Sequence, residues 1–139
     1  MRPIPDDERG SILPLTIGYA VLALAIVLVS VNAISLFVAQ KRVDALADAS
    51  ALAASDGFEI IAEESGAAIV LDHGKAAALA EDIVAVSPVD AHLVELTTTD
   101  GSTARAIVSI VWHPFLVSAF LPGEVMLTGT ATSRASLAG

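Results

Sequence analysis

The longest pattern in the chain is a stretch without charge. From residue 11 to residue 40 there is no Asp, Glu, Lys, Arg or His, and residues 19–39 are almost unbroken in apolarity. A helix needs about 20 apolar residues to cross a hydrocarbon core about 30 Å thick, so this run predicts a membrane-spanning helix. Thr16, Ser30, Asn32 and Ser35 interrupt it, but small polar side chains are able to bond within a helix and are tolerated there. The apolar stretch exceeds the about 7–15 residues of a secretory signal core. Residues 1–10 carry three acids beside two arginines. A retained anchor is therefore expected rather than a cleaved signal. Arg2 and Arg9 precede the span and Lys41 and Arg42 follow it, so the count of basic flanks is tied and leaves orientation open.

The helical pattern does not stop at the membrane. Residues 41–55 are rich in Ala and Leu and contain neither Gly nor Pro, and Ala has the best helix propensity. One helix is predicted over residues 12–56, with Gly57 as its C-cap. At 1.5 Å per residue it is about 65 Å long, more than a bilayer needs. In its outer half Val43, Leu46, Ala47 and Ser50 share one face, and Ala45, Ala49, Leu52 and Ala53 an adjacent one. These small-residue faces suit close helix packing. Asp44 and Asp48 lie within reach of Lys41 or Arg42.

Beyond Gly57 the periodicity changes. Residues 58–72 are mixed and contain Gly66, which predicts a partly helical connector. Residues 74–86 place Ala78, Leu79, Ile83 and Val86 at helical spacing, and Pro88 stops that helix at Ser87. Residues 89–99 alternate, Asp100-Gly101 is a two-residue hairpin signal, and residues 103–113 form the β-branched return strand. With that turn Leu93 faces Val108, Ala91 faces Ile110 and Val89 faces Trp112, so both strands turn their more apolar set to one side. The other side carries Asp90, His92, Arg105, Ser109 and His113. Residues 114–123 read as an apolar loop, and residues 124–136 as a third strand with Val125, Leu127, Gly129, Ala131 and Ser133 on one face. The fold class is thus α+β: a long N-terminal transmembrane helix extending into a small domain, where a short helix packs on a three-stranded antiparallel sheet. The short helix and the outer half of the long helix are expected to cover the Leu93/Val108/Ile110/Trp112 face. The chain divides into residues 1–10, a leader-like segment; 11–57, the transmembrane and extended helix; and 58–139, an acidic α+β ectodomain.

Composition sharpens this picture. The 139 residues are 55% hydrophobic but only 17% charged and 4% aromatic, with a mean hydropathy of +0.73. A soluble domain carries about a quarter charged residues. The net charge is −9, and ten of the sixteen acids but only three of the seven basic residues lie beyond Gly57. A nucleic-acid partner is not expected, because phosphate contacts need basic side chains. There is no cysteine, hence no disulfide, thiolate metal site or Cys nucleophile. His73, His92 and His113 form no metal-binding spacing. His92 and His113 fall four strand steps apart, about 13 Å, too far for a shared metal. Glu63-Glu64 and Glu81-Asp82 are sequence neighbours that point different ways on a helix. Trp112 reads as a core aromatic at a strand end. No enzyme, metal or cofactor is expected.

Two stretches flank the span: Glu8-Arg9-Gly10-Ser11 before it, and residues 41–54, KRVDALADASALAA, after it. Together they resemble the TadE/TadG-like family of Tad (tight adherence, Flp-type) pilus assembly proteins, which share an "RGS"-type start, one apolar helix, a basic pair and an "ADAAALAA"-type segment. The resemblance implies a minor pilin or pseudopilin-like subunit. It would be held in the cell membrane by a single span with its C-terminal domain extracytoplasmic, and could be built into a surface pilus. It implies a prepilin-type cut between Gly10 and Ser11 by a membrane prepilin peptidase, and helix packing through Val43, Leu46, Ala47, Ala49, Ser50, Leu52 and Ala53. The implied partners are other pilin-like subunits, the Tad machinery and membrane lipid. One position departs from the pattern: Leu15 stands five residues after the cut, where type IV pilins carry Glu. The alternative reading is a membrane-anchored extracytoplasmic binding or sensor module unrelated to pili.

Overall fold

A computed structural model describes residues 12–64, 66–115 and 123–135. The leader-like segment and most of the apolar loop after Phe115 lie outside these residues. The architecture is the expected α+β one: a long apolar helix, a short helix and a three-stranded antiparallel sheet, with one further hairpin.

Helix α1 (Ile12–Ser55) runs unbroken for 44 residues. Its length follows from the missing helix breakers between residues 19 and 55. It closes with a tightened turn, in which the Asp56 and Gly57 amides donate to the carbonyls three residues back, Ala53 and Ala54. Gly57 is not the left-handed cap expected of it, since its φ is not positive. Its smallness serves a contact instead. A Cβ at Gly57 would come within 2.7 Å of the Ala76 Cβ, so only glycine lets the second helix sit this close.

Residues 58–71 correct the expectation of a partly helical connector. They form a hairpin of β1 (Phe58–Glu63) and β2 (Gly66–Leu71), in register from Phe58↔Leu71 to Glu63↔Gly66. Ile60, Ile61, Ile69 and Val70 prefer extended backbone, and Gly66 takes a φ of +136° at the turn. The ladder is extended by the Asp72 amide donating to the Gly57 carbonyl. The Asp72 carboxylate then caps α2 (His73–Ala85) by accepting from the Gly74 and Lys75 amides.

The remaining strands, β3 (Ala91–Thr98), β4 (Thr103–Trp112) and β5 (Val125–Arg134), form a meander in that order. Ala91, His92 and Leu93 pair with Ile110, Ser109 and Val108 as the turn signal predicts. Nearer the turn the register shifts by one, so that Glu95 faces Ile107 and Leu96 faces Ala106. Val94 is the bulged residue, left 59% exposed. The reason is burial. Strict alternation would carry Glu95 and Thr97 to the core face, whereas one extra residue brings Leu96 there instead, beside Leu93. At the loop, Asp100 Oδ1 accepts from the Ser102 amide and Oδ2 from the Thr103 hydroxyl. Arg134 Nη2 lies 3.5 Å from Oδ2, and Gly101 has a φ of +74°.

Helices α1 and α2 cover the inner face of this sheet, as expected. The core joins Val43, Ala47 and Ala51 of α1 and Val84 of α2 to Ala106, Val108, Ile110, Leu127 and Ala131 of the sheet, with Leu93 and Trp112 packed at its margin. A second cluster joins Ala54, Leu71, Ala76, Ala80 and Ala104. Most of these side chains are alanine, because the elements touch backbone to backbone. At Gly129 the approach is closest: a Cβ there would lie 2.5 Å from the Val43 carbonyl oxygen.

Two outcomes follow from these contacts. Gly129→Ala should destabilise the domain by about 1–3 kcal/mol, the usual cost of overpacking, seen as a lowered Tm in detergent, while the exposed Thr130→Ala one position away should leave Tm nearly unchanged. The hydrogen bond from the Ser102 amide, helped by those from Thr103 and opposed by slight desolvation, holds the Asp100 carboxyl below its ordinary value of 3.8. A carboxylate with a lowered folded pKa stabilises above its unfolded pKa and loses that effect as pH falls through the folded one. The β3–β4 turn should therefore loosen only below about pH 3.8, which Asp100→Ala abolishes; NMR titration of the turn amides reads both.

Candidate functional site

Among the described residues no group of three or more His, Cys, Asp and Glu could hold a metal. His73, His92 and His113 are exposed, and His92 Nε2 lies 3.6 Å from Asp90 Oδ1. Glu63 and Glu64 lie at the β1–β2 turn, and Glu81 and Asp82 on the exposed side of α2. What the fold does build is a helix with three distinct surfaces along its length.

The first surface is bare. Every residue of α1 from 12 to 31 is exposed, and α1 is the one helix among the described residues long and apolar enough to cross a membrane. Here Thr16, Ser30 and Asn32 bond back to the carbonyls of Ile12, Ile26 and Leu28, four residues earlier. These donors are thus satisfied within the helix, as the sequence suggested, whereas the buried Asn32 Oδ1 accepts no hydrogen bond from the described residues.

The second surface is inward. Of the residues assigned to helix packing, Val43 and Ala47 are fully buried against the chain's own sheet, Ser50 is fully buried within the chain, and Leu46 lies half-buried beside them. Two polar contacts fix the helix against the sheet. Trp112 donates from its indole N–H to the Ser35 hydroxyl at 3.3 Å. Gln40 donates from Nε2 to the Thr128 carbonyl at 3.1 Å and to Asp44 Oδ1 at 2.9 Å. Ser35 and Gln40 were missed as docking residues. Their spacing gave no signal, since residues five apart sit about 140° apart around a helix.

The third surface is outward. Ala45 and Ala49 are exposed and Leu52 is 66% exposed, with Ala53 half-buried at the margin. Arg42, Ala45, Leu46 and Ala49 line an open groove of about 580 Å³, closed on its other side by Pro88 and Val89 after α2. Lys41 pairs with Asp44 at 3.7 Å and lies 5.7 Å from the centroid of the Phe37 ring. The expected processing pair, Gly10 and Ser11, lies outside the described residues.

Comparison with known protein families gives a match over part of the chain. The Tad family, described as Flp pilus-assembly TadE/G-like, matches residues 10–62, which take in all of α1 and nearly all of β1. No curated protein and no solved structure matches the chain. The apolar span and that match together support a membrane-anchored protein with a role related to pilus assembly. Over residues 10–62, less than half of its length, the chain is similar to the TadE/G-like family of Flp pilus assembly.

Proposed function

We propose that the chain is a minor pilin- or pseudopilin-like subunit of a Tad-type pilus. Helix α1 holds it in the cell membrane, and residues 58–139 stand on the extracytoplasmic side. The observation that carries this reading is the division of α1. Its first half is bare on every side, as a helix surrounded by lipid or by other apolar helices must be. Its second half turns Val43, Ala47 and Ser50 inward and leaves Ala45, Ala49 and Leu52 outward. A neighbouring helix is able to approach this outward side closely, because three of the four nearest side chains, Ala45, Ala49 and Ala53, are alanine. The partners on this reading are other pilin-like subunits and the Tad assembly machinery, which the family match supports in kind.

Two experiments test it. The chain has no cysteine, so Ala49→Cys introduces a single thiol on the outward side. In cells assembling Tad pili it should crosslink to a pilin-like subunit, whereas Thr132→Cys on the exposed side of the sheet should not. Crosslinking at neither position, with normal pili in a strain lacking the chain, sinks the proposal. Processing is the second test. N-terminal sequencing of the mature protein should begin at Ser11, and a start at Met1 shows that the prepilin-type cut after Gly10 does not occur.

A further inference from the structure

The bare part of α1 ends where the sheet begins, and the match in length is close. Residues 12–31 are exposed throughout, and the first half-covered positions are Asn32 and Ser35. At about 1.5 Å per residue those bare residues span about 30 Å, the thickness of a hydrocarbon core. Helix left over for a gap between bilayer and domain is therefore lacking. The Trp112–Ser35 hydrogen bond and the Gln40–Thr128 hydrogen bond place the near end of β4 and β5 at this same level.

That end of the sheet differs chemically from the rest. On the outer face, the row formed by Val111 and Met126 is apolar, and Met126 is 69% exposed. Each later row of the β4–β5 ladder on this face carries a polar residue: Ser109 with Thr128, Ile107 with Thr130, Arg105 with Thr132, Thr103 with Arg134. Val125 and Phe115 at the same end are also exposed, Phe115 by 78%. On the β4–β5 ladder the apolar exposure is thus concentrated in the rows nearest the span. Trp112, the sole tryptophan, is half-buried there with its N–H satisfied, an arrangement suited to a membrane interface. On α1, exposed Phe37 lies just beyond Ser35, and Lys41 and Arg42 stand about 10 Å further out, with long side chains able to reach back toward anionic headgroups. The acidic groups at this end are Glu124, exposed at the start of β5, and Asp90, exposed just before β3 with His92 beside it, and His113 is also exposed there.

We infer that the near end of the sheet is a lipid-contacting surface: Val111, Trp112, Phe115, Val125 and Met126 enter the interfacial layer of the bilayer, and the ectodomain rests on the membrane. The occupant is phospholipid rather than a second copy of the chain, because the patch is continuous with the membrane-spanning surface of α1 and flanked by Lys41 and Arg42. The inference rests on membrane anchoring by α1 and not on the pilus role, so it stands or falls separately from that role.

The test uses the full chain in vesicles of phosphatidylethanolamine and phosphatidylglycerol. A spin label on Met126→Cys should collide more with dissolved oxygen than with a water-soluble nickel complex. A label on Thr132→Cys, on the same face but far from the span, should show the reverse. Native Trp112 gives a reading without substitution: lipids brominated near the glycerol end should quench it more than lipids brominated at mid-chain. Water-like behaviour at Met126→Cys together with unquenched Trp112 overturns the inference. So does spin–spin broadening at Met126→Cys that disappears on dilution with unlabelled chain, which would put a second copy there. Flotation with the vesicles checks the anchor itself, and failure to float removes the basis of the inference.

Discussion

The fold depends on how closely one helix backbone lies against one strand. At Gly129 the main chain of β5 meets the main chain of α1 at Val43 and Asp44, with no room for a methyl group between them. Once this approach is set, the neighbouring positions must be small as well, and Ala47, Ala51, Ala106 and Ala131 fill the layer around it. The same condition recurs where Gly57 admits Ala76. A core of this kind has little use for large rings, which explains why a chain that is 55% hydrophobic is only 4% aromatic. Stability comes from close packing of many small contacts rather than from a few large side chains.

The elements that were legible in the sequence are those whose burial follows a simple period. β5 alternates strictly, with Leu127, Gly129 and Ala131 buried and Thr128, Thr130 and Thr132 exposed, so its faces could be read directly. α2 and the β3–β4 pairing near Leu93 were visible for the same reason. The β1–β2 hairpin was not, because both strands are largely exposed on both faces and no alternation marks them. The Val94 bulge was hidden as well. It answers a competition between Glu95 and Leu96 for the core, which only the packed structure decides. Gly57 looked like a cap because glycine usually ends a helix by its conformation; here it ends one beside a second helix that needs the space.

The candidate site was legible in part. Helical spacing correctly grouped Val43, Ala47 and Ser50, but spacing cannot say whether a face meets its own sheet or another molecule. The structure buries these three within the chain and leaves Ala45, Ala49 and Leu52 open. Ser35 and Trp112, 77 residues apart, form a contact that no local pattern announces. The family match covers α1 and nearly all of β1 but not the sheet that α1 supports. The recognisable part of the chain is thus the helix, and the part that distinguishes this protein is the domain built upon it.

Because α1 passes without a break from the bare segment into the core, the domain has no swivel. A helix turns by about 100° per residue, and any rotation of the buried rod carries the sheet through the same angle. The azimuth of the domain about the membrane normal is therefore fixed by how the rod is seated among its neighbours. Torque applied at either end is transmitted to the other, since neither Gly nor Pro lies between residues 19 and 55 to absorb it. Insertion of one residue near position 32 would leave the fold of the domain intact in principle, yet point its surfaces in a different direction.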